Sequence, residues 1–298
     1  MVNLLVIHRQ NKMNRIYRKP NDSIYGNRLL EDLSSGYSFI LGENKAGNDF
    51  LAFKPSNCHL KNLLIEKYHY NPSYYIEKLI NSITYSLIAF GKAYVYIIPN
   101  QMNPDKRNNK EELQSLELRE IKGFIRKRKR TSFKFCNMGL NNDVKEIEIQ
   151  RNQLIEFDIR GSGYNKRFFT KVFKSLRKCD KTRPSGSLLN NSPRGYDFSV
   201  HSRKNKLQVL RALKNFGLSF VLDGLSDSYI LYKKIQEDKI RISFLNYILK
   251  ELNRGLVVFI DDNEGKIVAN IKEKNYEELW SKYNEGSITG TELTDILY

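Results

Sequence analysis

The chain has 298 residues, of which 40% are hydrophobic and 12% aromatic, so it can bury a large core and is not disordered as a whole. Three scattered cysteines without a CxxC pair argue against a disulfide framework or a zinc ribbon. The opening apolar run is too short for a signal peptide, and no stretch approaches the length of a membrane helix. We therefore expect a cytoplasmic protein, or one assembled from the cytoplasm, with no membrane partner.

The positive charge of the chain is concentrated in its middle third. Residues 122–214 contain 24 Lys and Arg against 7 Asp and Glu, which accounts for the whole net charge of +17. Such regional basicity predicts a polyanionic partner, and nucleic acid is the leading candidate.

The first seventy residues alternate between helical and strand patterns. A helix is predicted over residues 21–33 and another over 59–70, with short strands at 37–41 and 50–54 between them. These elements precede the most strongly periodic segment of the chain.

That segment is a helix predicted from Pro72 to Phe90. Asn71 is placed to cap its first turn and Pro72 to occupy its first position, while apolar residues recur every three or four positions. Gly91 is expected to end the helix, and the β-branched and aromatic run 93–98 to form a strand directly after it.

Further strands are predicted at 131–136, 145–150 and 153–159. Just before them comes a run of five cations, expected at a strand end or hairpin tip. A solvated loop is one interpretation of this run, and contact with phosphates is the other. The residues are Arg126, Lys127, Arg128, Lys129 and Arg130.

The second basic element is an amphipathic helix predicted over residues 164–178. Its aromatic and aliphatic residues, from Phe168 to Leu176, fall on one face. A cationic stripe on the other face can follow a phosphate backbone or lie on anionic lipid, and the compact aromatic face favours nucleic acid. The candidate contact residues are Lys166, Arg167, Lys171, Lys174, Arg177 and Lys178.

Residues 181–206 are rich in Ser, Asn, Pro, Gly and cations, which predicts a flexible basic loop or linker that orders on a polyanion. Arg203 and Lys204 belong to the same nucleic-acid-binding set. We expect this segment to separate a region of residues 1–180 from a domain of residues 207–298.

The last hundred residues predict an αββαββα order and a two-layer domain with helices on one face of an antiparallel sheet. The overall class is therefore α+β, in which two helices flank a small strand region before this domain. The predicted helices are 207–216, 240–253 and 276–283, and the predicted strands are 218–222, 229–234, 256–260 and 266–271.

Catalytic and metal-binding signals are weak. Cys58 and His59, with His69 ten residues on, lack a closing pair of ligands, so no metal is expected. The acidic run before Lys266 evokes a metal-dependent nuclease, but its Glu264 and Lys266 flank a glycine in what is more simply a hairpin turn. We expect no cofactor and no catalytic residue.

Residues 70–100, YNPSYYIEKLINSITYSLIAFGKAYVYIIPN, resemble the portal proteins of tailed phages, in which a helix runs through a G-x-A-Y turn into a strand. Gly91, Ala93 and Tyr94 carry this likeness, and residues 151–176 and 286–297 resemble later parts of such chains. The resemblance implies a ring in the virion, used in DNA packaging, with two stem helices lining a DNA channel. It also implies that the intervening strands form a clip that docks onto head or tail proteins.

The leading hypothesis is a structural, ring-forming portal-like protein that contacts double-stranded DNA. The first alternative is a monomeric or dimeric nucleic-acid-binding module of a mobile element or defence system. The second is a metal-dependent nuclease that uses Asp262 and Glu264.

Overall fold

The computed structural model describes residues 23–35, 51–68, 71–101, 113–121, 123–138, 144–181, 197–213, 227–260, 265–270 and 275–297. The helices are α1 (Ile24–Ser34), α2 (His59–Tyr68), α3 (Pro72–Phe90), α4 (Lys166–Lys181), α5 (Phe198–Ala212), α6 (Asp227–Leu256), α7 (Tyr276–Asn284) and α8 (Gly290–Leu297). The strands are β1 (Leu51–Lys54), β2 (Lys92–Gln101), β3 (Leu113–Glu120), β4 (Gly123–Arg128), β5 (Ser132–Met138), β6 (Val144–Gln150), β7 (Leu154–Asp158) and β8 (Lys266–Ala269). Helices and antiparallel strands are mixed without a regular βαβ alternation, so the predicted α+β class is confirmed.

The central sheet has the strand order β3-β2-β7, and all its pairs are antiparallel. Alternate residues of β2, among them Val95 and Ile97, are fully buried against the helices. The opposite face of β2 presents Tyr94 and Tyr96 to a second sheet of order β4-β5-β6, where Ile149 is buried. The central sheet therefore lies between the helical core and an outer three-stranded sheet.

The predicted helix from Pro72 to Phe90 is confirmed, together with the signals that bound it. The Asn71 side chain accepts a hydrogen bond from the Tyr74 amide at 2.9 Å. Gly91 ends the helix with a φ of 81°, a conformation that other residues rarely adopt. A Cβ atom at Gly91 would lie 2.9 Å from Cδ of Lys166, so the glycine also lets the first residue of α4 pack against the end of α3.

The prediction of strands at 229–234 and 256–260 is wrong. Residues 229–234 belong to α6, a single helix of 30 residues that ends at Leu256, and residues 257–260 form a turn. Charged pairs one turn apart stabilise the helix. Nζ of Lys234 lies 3.8 Å from Oδ1 of Asp238, and Nη2 of Arg241 lies 2.6 Å from Oε1 of Glu237. Packing along this helix overrides the local β propensity of both segments.

The expected carboxy-terminal sheet is also wrong in its pairing, although the strand at β8 is confirmed. β8 pairs antiparallel with β1, from the other end of the chain. On its second edge, Ile267 donates to the Asn253 side-chain oxygen and accepts from the Asn253 side-chain nitrogen, both at 2.8 Å. The amide of Asn253 thus takes the place of a neighbouring strand.

α6 is fixed to β7 and to the turn that follows it by two close approaches at glycines. Gly255 lies at the end of α6, and a Cβ there would lie 2.4 Å from Cδ1 of Ile155, so this glycine lets α6 lie on β7. A Cβ at Gly161 would lie 2.1 Å from the Tyr247 ring, whose hydroxyl accepts a hydrogen bond from the Asp158 amide at 2.8 Å.

The predicted loop at 181–206 is wrong for residues 198–206, which form the first turns of α5. Asp197 caps this helix by accepting hydrogen bonds from the amides of Ser199 and Val200. Residues 182–196 lie outside the described residues, as do the predicted strands at 37–41 and 218–222. The linker and the domain boundaries stay predictions, while one buried apolar cluster includes Leu29 of α1 and Ile267 of β8.

Replacing Asn253 by alanine should lower the free energy of unfolding by about 1–3 kcal/mol, because it leaves the amide and carbonyl of Ile267 without their partner. Urea denaturation of both proteins measures the change. Asn246→Ala, at an exposed position of the same helix, is the matched control and should have little effect. Equal losses in the two variants would contradict the role of Asn253.

Candidate nucleic-acid interface

The amphipathic helix predicted at 164–178 is confirmed as α4, which spans Lys166–Lys181. The Asn165 side-chain oxygen accepts a hydrogen bond from the Phe168 amide at 2.9 Å and so caps the first turn of the helix. Phe169 and Leu176 are fully buried, and Val172 and Phe173 nearly so. The apolar face of α4 is therefore part of the core.

An aromatic cluster holds this face against α6. The rings of Tyr164 and Phe244 are stacked, with centroids 5.6 Å apart and planes at 5°. Phe169 lies 6.2 Å from Phe244 and 6.4 Å from Phe173. Such aromatic pairs contribute about 0.5–1.5 kcal/mol each beyond their buried area. Burial in this cluster raises the pKa of the Tyr164 hydroxyl above its usual value.

The opposite face of α4 is cationic and exposed to solvent. All six sequence-predicted cations of this helix, Lys166, Arg167, Lys171, Lys174, Arg177 and Lys178, have exposed side chains. Within the described residues, Arg167, Lys171 and Lys174 form no ion pair. From Arg167 to Lys178 the stripe extends about 16 Å along the helix axis.

The acid on α4 does not neutralise this stripe. Asp180 accepts a hydrogen bond from the Tyr25 amide of α1 at 3.3 Å and is largely buried on the packed side. The exposed face of α4 consequently presents cations and hydroxyls without carboxylates.

The fold removes one of the two attractions by which α4 could bind lipid, insertion of its apolar face, and leaves the attraction of its cations to anionic headgroups. A helix that lies in a membrane interface inserts its apolar face among the acyl chains. In α4 that face, with Phe169 and Leu176 at its centre, is already buried in the protein. Among the helices that the structure describes, none has the length and apolar character to cross a bilayer.

Arg203 and Lys204 lie on α5 rather than on α4. α5 packs on the end of α4 through Asn205, whose side chain donates to the Cys179 carbonyl at 2.8 Å and accepts from the Tyr25 hydroxyl at 3.2 Å. Arg203 lies about 160° around the helix from Asn205 and Lys204 about 100°, and both are exposed. These two cations therefore lie off the side of α5 that contacts α4.

The run of five cations lies at a hairpin, as predicted. β4 and β5 pair with a bulge at Arg126, and the Lys129 amide donates to the Ser132 carbonyl at 2.8 Å across the turn. Lys129 and Arg130 are exposed, with Lys129 at 3.3 Å from Glu148. The side chains of Arg126, Lys127 and Arg128 lie outside the described residues. This hairpin belongs to the outer sheet, whereas α4 belongs to the helical layer.

The weak metal and nuclease signals gain no support from the described residues. Cys58 is buried, and a Cβ at Gly265 would lie 2.4 Å from its sulfur. No group of three His, Cys, Asp or Glu side chains in the described part of the chain is arranged to hold a metal. Asp261, Asp262 and Glu264, like His69, lie outside the described residues.

A group of buried charges between α1 and α6 was not predicted from the sequence. Arg241 pairs with Glu237 and donates to the backbone carbonyl of Asp32. One carboxylate oxygen of Asp32 is buried without a hydrogen-bond partner. Burial, followed by the nearby Glu237 charge, raises the pKa of Asp32 to about 6, although Arg241 opposes the shift. The four-residue spacing of Glu237 and Arg241 indicates an ion pair on a helix. The predicted strand at 229–234 and the predicted helix start at residue 240 leave Glu237 outside any helix.

Comparisons with known proteins add no family assignment. No protein-family model matches the chain. No curated protein matches it significantly.

Replacing Asp32 by asparagine should remove the destabilisation of the folded protein that the ionised Asp32 carboxylate causes at higher pH. Because the folded state raises this pKa, the stability contributed by Asp32 is present at low pH and is lost as pH rises through about 6. The free energy of unfolding of Asp32→Asn should therefore increase relative to the native protein between pH 5 and pH 7.5, as measured by urea denaturation. Glu285→Gln, at an exposed carboxylate, is the control. A constant difference between Asp32→Asn and the native protein would contradict this account.

Proposed function

We propose that the protein is a ring-forming structural protein of the portal type that contacts double-stranded DNA through the exposed face of α4. The observation that carries the DNA contact is the orientation of this helix. Phe169 and Leu176 are buried in the core, so the cations on the other side of α4 are presented to solvent. Duplex DNA carries one negative charge per about 1.7 Å of its axis and matches such a stripe.

The chemistry of the exposed face favours the phosphate backbone over the bases. Beside the cations lie Thr170 and Ser175, whose hydroxyls donate to the carbonyls of Lys166 and Lys171 within the same helix at 2.8 and 3.1 Å. Contacts from lysine and arginine to phosphate carry no direct sequence information. Binding should therefore be strong at low salt and largely independent of sequence.

The arrangement of α3 and α4 supports the portal-type part of the proposal. The residues that carry the resemblance lie where α3 passes through Gly91 into β2. The aliphatic part of the Lys166 side chain, at the start of α4, packs against Gly91. Two helices therefore meet at the base of a strand region, as expected for a pair of stem helices. Copies arranged in a ring would place several α4 faces around one duplex.

The alternative is a monomeric or dimeric nucleic-acid-binding module. It is favoured by the fact that the cationic face of α4 is complete within one chain, so contact with DNA does not by itself need a second subunit. Both proposals use the same face and differ in the size of the assembly.

The substitutions Lys171→Glu, Lys174→Glu and Lys178→Glu should greatly weaken duplex binding. The slope of log affinity against log salt concentration should decrease by about 2 to 3, because about 0.9 counterions are released for each phosphate contact. Fluorescence anisotropy with a labelled duplex, over a range of salt concentrations, measures both effects.

The control for this variant reverses three exposed lysines elsewhere, Lys239→Glu, Lys250→Glu and Lys266→Glu, with the same change in net charge. It should keep most of the affinity. If both triple variants lost affinity equally, net charge rather than the α4 face would be responsible.

Sedimentation velocity over a range of protein concentrations, with and without duplex DNA, distinguishes the ring from the smaller module. The portal-type proposal expects one large, closed oligomer. A protein that stays monomeric or dimeric at high concentration and with DNA would contradict the ring and leave the alternative module.

A further inference from the structure

α5 has a solvent-exposed face that mixes aliphatic and cationic side chains. Val200 and Leu207 are 45% and 46% exposed, and they lie on the same side of the helix, two turns apart. Exposed cations lie between and beyond them on this side, at Arg203, Lys204 and Arg211. This composition differs from the exposed face of α4, which has no aliphatic residue.

The packing of α5 leaves this face open in the described structure. Asn205 and Val209 point into the protein, and Lys233 of α6 donates to the Leu213 carbonyl at the end of α5 at 2.5 Å. The middle and the carboxy-terminal end of α5 are thus anchored from its buried side. Aliphatic and cationic residues on one fixed helix face suit a protein surface that is aliphatic and acidic.

The chain itself contains a surface of that complementary kind. Residues 275–297, which include α7 and α8, carry five Asp and Glu against one Lys. Glu277 of α7 and Glu285, which follows the last residue of α7, are exposed about two turns apart and form no ion pair within the described residues. Ile296 of α8 is 42% exposed, so the same segment of the chain also offers an aliphatic side chain.

We propose that the α5 face of one copy docks on the α7–α8 surface of a second copy. Complementary charge brings the two surfaces together, and Val200, Leu207 and Ile296 lose their exposure in the contact. This inference rests on the self-assembly part of the proposed function and names its contact surfaces. It assigns Arg203 and Lys204 to a neighbouring subunit rather than to DNA.

A charge-swap experiment tests the contact. One variant carries Arg203→Glu and Lys204→Glu, and the other carries Glu277→Lys and Glu285→Lys. Each variant alone faces like charge across the contact, so its self-association should weaken by about tenfold or more. An equimolar mixture restores opposite charges across the contact and should recover assembly, as measured by sedimentation velocity. Circular dichroism checks that each variant is folded.

The variant with Lys171→Glu, Lys174→Glu and Lys178→Glu is the control and should assemble like the native protein, because α4 is outside this contact. The inference is overturned if the two charge-swap variants assemble normally, or if their mixture assembles no better than each alone. In those cases a native protein that still forms large oligomers would preserve the portal-type proposal. A native protein that is monomeric at all concentrations would overturn both.

Discussion

The packing of the α4 aromatic face against α6 determines which surface the protein offers to a partner. Tyr164 and Phe169 contact Phe244, and this contact turns the cations of α4 toward solvent. The position of α6 depends in turn on β7 and the turn after it, since Gly161 of that turn makes room for the Tyr247 ring and Gly255 of α6 makes room for Ile155 of β7. A bulky residue at either glycine would push α6 away from the sheet, and α4 would follow. The orientation of the cationic face is therefore a consequence of core packing rather than of the surface residues themselves.

The fold exposes two kinds of positive helix face. On α4 the exposed residues are polar and cationic, which fits a hydrated phosphate backbone whose counterions are released on binding. On α5 the cations accompany exposed aliphatic residues, which fits a protein surface. Residues 275–297 carry the opposite charge. In the proposed assembly the basic middle segment therefore serves two partners, DNA and a neighbouring copy, because its two helices expose different chemistry. The buried charges between α1 and α6 belong to neither surface and affect stability through Asp32.

Local signals were sufficient where one short segment decides the structure. Asn71, Pro72 and Gly91 gave the limits of α3, and the periodicity of α4 gave both of its faces. Local signals failed where contacts with residues distant in the sequence decide the structure. The runs 229–234 and 256–260 have strand-like compositions, yet the first lies within α6 and the second forms a turn after it. The free edge of β8 is hydrogen-bonded by the Asn253 side chain instead of by a strand. The partner of the α4 aromatic face could not be predicted either, since Phe244 lies some seventy residues away. The predicted helix 207–216 covers only the second half of α5. Its first half was missed because polar residues dilute its periodicity, although Asp197 was available as a cap.

The most direct test of the central claim is a lysine footprint, in which acetylation of each lysine is measured by mass spectrometry with and without duplex DNA at low salt. If packing on α6 turns the α4 stripe toward DNA, Lys171 and Lys174 should be strongly protected, while the exposed Lys239 and Lys250 of α6 should react as in the free protein. Equal protection of all four lysines would indicate that only net charge is recognised. Protection confined to lysines outside α4 would contradict the account.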